Sequence, residues 1–351
     1  MKPKTKKFLS NFFIGLFSND QAIEGSKSNP WWVALIIAIF SVIIPVIPLT
    51  VAQANSYGSS FVSNYSYRLD TNLTAVTKDL ALNNKEFKVN DNKFLDYYVD
   101  GALTNLDETA DNNPIVFHKN SINQQYELVV YYTQREDKAL VDYVTNIDGL
   151  RYQLKTTTVV TDSEADTAQL YSPSYLILHK KGLIIALRKE DSVTSVSNGY
   201  LSATDWQNFE VGTEIIKSAL PEGVTADQVD VNNTEHINAM FKTWKTYFDK
   251  AFITQKNYNI LMTSLVFLGI YTGLVFILGL LVFVLTRGKN NMFNYLKFID
   301  CQKIVWWAVL SPAILATIFG FIFTNFAQMI FIILVGLRTM WISMKQLRPQ
   351  Y

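Results

Sequence analysis

The chain has 351 residues, 49% hydrophobic and 17% charged, and one cysteine, Cys301, which excludes an intramolecular disulfide and a multi-cysteine zinc site. Its net charge of +1 conceals two opposed parts: residues 54–258 carry 19 Lys/Arg against 27 Asp/Glu, a balance of −8, and the remainder carries 12 against 3, a balance of +9. Opposite signs on the two sides of apolar segments are what the positive-inside bias produces, so the basic residues need no nucleic-acid partner.

Residues 1–30 read as a cytoplasmic amphipathic segment. Lys2, Lys4, Lys6 and Lys7 lead into Phe8, Leu9, Phe12, Phe13, Leu16 and Phe17, and steps of four put Phe8, Phe12 and Leu16 on one helical face. Such a helix lies in the headgroup plane of an anionic leaflet or packs under the cytoplasmic face of a bundle. It lacks the short apolar core and small-residue cleavage site of a signal peptide.

Residues 31–53 are the first predicted transmembrane helix. The 21 residues from Trp31 to Val51 carry no charge; at ~1.5 Å per residue they reach roughly 31 Å, about the hydrocarbon thickness. Trp31 and Trp32 mark one interface, and Pro45 and Pro48 kink or end the helix on its outer side.

Residues 54–258 are predicted to form an extracytoplasmic α+β domain. Residues 73–82 and 94–106 have helical spacing, whereas 114–118, 126–132 and 151–160 are rich in β-branched and aromatic residues and read as strands. Tyr175–His179 and Leu183–Arg188, split by Lys180-Lys181-Gly182, form the clearest hairpin. Phe241, Trp244, Phe248 and Phe252 then recur at helical spacing on the approach to the next span, where Trp244 is expected to anchor at the interface. Helices at both ends of an antiparallel sheet result.

Residues 259–286 are the second span, and 287–303 a basic cytoplasmic loop with Arg287, Lys289, Lys297 and Lys303 against Asp300. Residues 304–322 and 327–343 are the third and fourth spans, with Trp306, Trp307 and Trp341 as interface anchors; 344–351 is a cytoplasmic tail. The fold class expected is therefore a membrane protein of four transmembrane helices, one before and three after an inserted α+β domain.

Few residues point to chemistry. His118, His179 and His236 have no metal-ligand spacing, and Asp162-Ser-Glu-Ala-Asp166 lacks the glycine and distal glutamate of a calcium loop. GxSxG, Walker, GxGxxG and SxxK patterns are absent, so no catalytic residue, metal or cofactor is implied. Arg338 is the one charge inside a span; within about two turns of Lys345, with Trp341 beside it, it is expected to snorkel to the headgroups. Ser311 and Pro312 form a kink in the third span, and with Arg338 they make the one speculative site in the helix bundle.

The layout resembles a family of membrane proteins from low-GC Gram-positive bacteria and their wall-less relatives. That family is defined by a domain of unknown function, and some members carry the label maltodextrin-utilisation protein MalA. The likeness rests on FFIGLFSNDQAIEGSK (12–27), YLILHKKGLIIALRKED (175–191) and NYLKFIDCQKIVWWAVLSPAIL (294–315). It implies an association with sugar uptake and carries over no catalytic residue. The expected function is a non-enzymatic membrane protein whose outer domain binds a partner or ligand, with the bilayer and a transporter as partners. The alternative is a small transporter or lipid-handling protein using the bundle.

Overall fold

A computed structural model of the chain describes residues 18–65, 68–104, 115–122, 125–133, 174–187, 200–201, 204–288 and 291–347. The lysine-led stripe at 2–17, the strand expected at 151–160 and the acidic turn at 162–166 lie outside these residues. The chain divides into two compact units, Met1–Asn55 with Tyr258–Tyr351, and Ser56–Asn257.

Helix α1 is Asn19–Ser28, α2 Trp31–Ile43 and α3 Ile47–Ala54. The two prolines expected to kink or end the first span interrupt its α-helix without ending the helical run. Pro45 lies in a 3₁₀ turn, Ile44–Val46, and Pro48 in the first turn of α3, where a missing N–H costs no helical bond. The run therefore continues from Trp31 to Ala54.

The second unit begins with α4, Gly58–Tyr65, and α5, Leu69–Leu82, which buries Leu69, Leu73, Val76 and Leu80 along one face. Strands β1, Lys85–Val89, β2, Leu95–Val99, and β3, Ala102–Leu103, make an antiparallel sheet. The helix expected over 94–106 is thus replaced by a hairpin. Asp100 and Gly101 both take positive φ (49° and 80°), which a tight hairpin turn demands, and Leu95 and Tyr97 point inward at the strand period.

The second sheet runs in the order β4, Ile115–Ile122; β5, Gln125–Thr133; β6, Ser174–His179; β7, Gly182–Ala186; β8, Tyr200–Leu201. The hairpin expected around Lys180-Lys181 is present, with Tyr175 opposite Ala186 and His179 opposite Gly182. The sheet is mixed rather than wholly antiparallel, because β5 pairs with β6 in parallel from Leu128↔Ser174 to Thr133↔His179. Leu176, Ile177 and Leu178 on β6, and Leu183, Ile184 and Ile185 on β7, are all buried, so these strands are covered on both faces.

Aromatic contacts join the layers. Phe87, Tyr97 and Tyr132 have ring centroids 5.1 to 5.7 Å apart and link the two sheets. Helix α6, Thr234–Thr286, supplies Trp244, Tyr247 and Phe248 to the same core. Trp244 is not an interface anchor: it is 1% exposed, and its indole N–H donates to Thr77 Oγ1 at 2.9 Å. Its position on the apolar stripe of the 234–252 segment made it look membrane-facing, but that stripe covers α5. The start of α4 docks on the same helix. Ser59 donates from its N–H and its hydroxyl to the Asp249 carboxylate at 2.7 and 3.0 Å, and Gly58 lies against the Phe248 carbonyl.

The first unit is completed by the C-terminal part of α6, by α7, Phe298–Ala308, α8, Leu310–Ile322, and α9, Ala327–Trp341. Among the described residues, four helical runs are long and apolar enough to cross a membrane: Trp31–Ala54, Thr234–Thr286, Phe298–Ile322 and Ala327–Lys345. The third starts earlier than the predicted 304, because the Asp300 carboxylate accepts the Lys297 N–H at 3.0 Å and caps the helix there. In the shortened loop, Arg287 donates to the carbonyls of Asn294 and Leu296 at 2.7 and 2.9 Å.

Helix α1 packs on α7, with Ala22 fully buried and Gly25 so close that a Cβ would meet the Trp307 ring at 3.1 Å. Trp307, 2% exposed, is therefore a core residue between these helices and not an interface anchor. Trp306 is half-buried against two apolar clusters. Trp31, Trp32 and Trp341 are the exposed members of the predicted set, at 57%, 54% and 57%.

Candidate functional site

Among the described residues, a cleft with polar side chains is found in each unit. In the Ser56–Asn257 unit a cavity of about 500 Å³ lies along β1 and β2, lined by Glu86, Lys88, Tyr98, Asp100, Glu214 and Lys217 among others. Residues 212–216 run along the free edge of β1, with Ile215 N–H on the Phe87 carbonyl at 2.8 Å and Gly212 N–H on that of Val89 at 2.7 Å. That pairing brings Glu214 opposite Lys88.

The charges here are arranged by main-chain donors and one ion pair. Glu86 Oε1 accepts the N–H groups of Phe87 and Ile216 at 2.8 and 2.7 Å, and Oε2 that of Lys217 at 2.8 Å. Burial pushes the Glu86 carboxyl above its ordinary range, against these three donors, and the nearby Glu214 charge adds to the rise. Lys88 Nζ lies 2.6 Å from Glu214 and 5.1 Å from the Tyr98 ring centroid; Lys217 adds a second contact to Glu214 at 3.4 Å. The bond to Lys88 holds the Glu214 carboxyl below its usual range, and the same bond raises Lys88. With both oxygens engaged, Glu86 fixes the shape of the cleft and is poorly placed to exchange a proton with a ligand. The ion pair beside it presents both signs to one.

In the other unit a cleft of about 320 Å³ is lined by Asn19, Ser311, Pro312, Leu315, Leu334, Leu337, Arg338 and Trp341. The structure thus brings Ser311, Pro312 and Arg338 together from α8 and α9. Proline 312 has no N–H to give to the Ala308 carbonyl one turn back, and Arg338 Nη1 donates to that carbonyl at 3.0 Å. Its Nε donates to Asn19 Oδ1 at 3.1 Å. Arg338 is therefore half-buried and tied between helices, where the sequence predicts a side chain extended toward headgroups. The carbonyl released by the proline supplies the reason.

Two of the three histidines accept main-chain N–H groups close by in sequence. His179 Nδ1 accepts the Lys181 N–H at 3.0 Å, and His236 Nδ1 accepts that of Asp230 at 3.1 Å. Of His118, strand β4 gives only the backbone position, opposite Val130. Among the described residues no group of three His, Cys, Asp or Glu side chains is placed to hold a metal ion. The residues that sequence reasoning passes over are Asn19, Glu86, Lys88, Glu214 and Lys217. Glu86 and Lys88 alternate on one strand face, but nothing local announces their pairing with residues more than a hundred positions away.

Compared with known protein families, characterised proteins and solved structures, the chain has no match in any of the three.

Proposed function

We propose that the chain is a non-enzymatic, multi-pass membrane protein whose Ser56–Asn257 unit faces the extracytoplasmic side and binds a partner there. Both termini and the 287–297 loop then lie in the cytoplasm, which puts the basic part of the chain inside and the acidic part outside. The partner is a membrane transporter to which the protein is accessory, and the MalA-like layout makes sugar uptake the process to test first.

The observation that carries this reading is the cleft along β1. A reachable ion pair, Lys88–Glu214, is held at fixed geometry beside Tyr98 on a rigid sheet, and fixed charges of both signs give a partner register and orientation. Full-length protein, cross-linked in intact membranes and purified in mild detergent, tests it. Wild type is expected to retain a transporter subunit near one-to-one, and K88E and E214K to lose it. A monodisperse monomer with no bound protein, or equal retention by both variants, would refute the proposal.

A further inference from the structure

The cleft at Arg338 has a different chemistry. Its eight lining residues contain one full positive charge, two small polar side chains, Asn19 and Ser311, and no carboxylate. The remaining walls are apolar, and Leu315 and Leu337, 43% and 59% exposed, open it to the surface of the unit. Just beyond, Lys345 Nζ lies 5.3 Å from the ring centroid of the exposed Trp341, which adds a second cation at the mouth.

We propose that this cleft is a site for one anionic phospholipid, its phosphate at the Ser311–Arg338 end and the start of an acyl chain along Leu315, Leu334 and Leu337. The inference rests on reading this unit as membrane-embedded, and goes beyond the partner-binding role of the other unit. The bonds from Arg338 to Asn19 and to the Ala308 carbonyl hold the guanidinium in one plane at the cleft, so a bound phosphate meets a charge that is already oriented. Apolar walls beside a cation match a phosphate joined to hydrocarbon better than they match a free ion. The volume admits only the part of a lipid nearest its headgroup, which makes headgroup charge the basis of selection.

The test is native mass spectrometry of the full chain in mild detergent, titrated with phosphatidylglycerol or phosphatidylcholine. Wild type is expected to keep one phosphatidylglycerol with a preference of roughly tenfold over phosphatidylcholine, whose choline cation would lie beside the Arg338 and Lys345 charges. R338Q should lose the preference, and K303Q, which lies outside the cleft, should keep it. L337W fills the cleft while leaving the Arg338 hydrogen bonds in place, and decides the matter if R338Q does not stay monodisperse. Phosphatidylglycerol retained equally by R338Q and L337W, phosphatidylcholine bound as well as phosphatidylglycerol, or displacement of the lipid by millimolar inorganic phosphate would overturn the proposal. Release of the protein from membranes by alkaline carbonate would instead overturn the membrane reading itself, before any lipid is added.

Discussion

Gly58 is a position where one added methyl group has no room. A Cβ there would lie 2.3 Å from the Phe248 carbonyl oxygen and 2.7 Å from its carbon. Both are backbone atoms of a long helix and cannot swing aside, so G58A has to push the start of α4 away by roughly 1 Å. That shift acts on the two bonds from Ser59 to Asp249, now 2.7 and 3.0 Å. Charge-assisted bonds contribute about 1.5–3 kcal/mol each, less when part-exposed, and alanine recovers at most about 1 kcal/mol of helix propensity. The expected loss is therefore about 2–3 kcal/mol. Denaturant unfolding of the full chain in detergent reports it through the indoles of Trp206 and Trp244, both buried in the same unit. The double mutant G58A/D249A should cost at least about 1 kcal/mol less than the sum of the single changes, because both act through the same contact. A G58A midpoint equal to wild type, or a strictly additive cycle, would refute the reasoning.

Thr77→Val strands the Trp244 indole N–H in the core and should cost about 1–3 kcal/mol, read from the same unfolding curves; an effect under about 0.5 kcal/mol would mean that the indole finds another acceptor. The Glu86 carboxyl is raised, so the native state holds its proton over a window above the ordinary 4.5 and loses stability as pH rises through it; E86Q should flatten that slope, and parallel profiles for variant and wild type would contradict the assignment. Glu214 is lowered, so its contribution is present above pH 4.5 and lost as pH falls through its folded value. E214Q should match wild type only at the acid end and cost about 0.2–1 kcal/mol above it, as for a part-exposed pair. In the other unit, a Cβ on Gly279 would lie 2.3 Å from the buried Gln302 amide, which donates to the Phe276 carbonyl at 3.0 Å. G279A should lower the thermal midpoint, and adding Q302L should restore part of the loss; no restoration would place the strain elsewhere.

What the sequence makes legible here follows from locality. Uncharged runs of span length and the hairpin of two apolar strands around Lys180-Lys181 are each contained in one short stretch, and the opposed charge of the two parts is a plain count along the chain. The 94–106 segment is misread because Leu95, Val99 and Leu103 also recur at helical spacing, while the Asp100-Gly101 turn that overrides it is only two residues. The parallel pairing of β5 with β6 leaves no local mark, since either direction buries the same side chains. Trp244 and Trp307 show why an aromatic beside an apolar run is a poor guide to an interface: what decides is the partner, Thr77 in one case and Gly25 in the other. Of the bundle site, Ser311, Pro312 and Arg338 are legible as the exceptional residues of their spans. That they share a cleft depends on an acceptor, the Ala308 carbonyl, which belongs to the main chain and so appears in no residue pattern.

The bond between Thr77 and Trp244 joins residues 167 apart, and it has a bearing on biosynthesis. Helix α5 emerges early with an apolar face that its own neighbours do not fully cover, and the helix that covers it comes last in the unit. The nascent domain therefore stays open until about residue 252 has been made, long after both sheets have been synthesised. Contacts of such high sequence separation slow folding and prolong exposure of apolar surface. The residue that closes the core lies on the same helix that carries on as an apolar run to Thr286, so completion of the domain and delivery of the next membrane-length segment fall in the same interval of synthesis. A ribosome-stalled chain ending before residue 240 should accordingly be protease-sensitive throughout the unit, and one ending past 286 resistant.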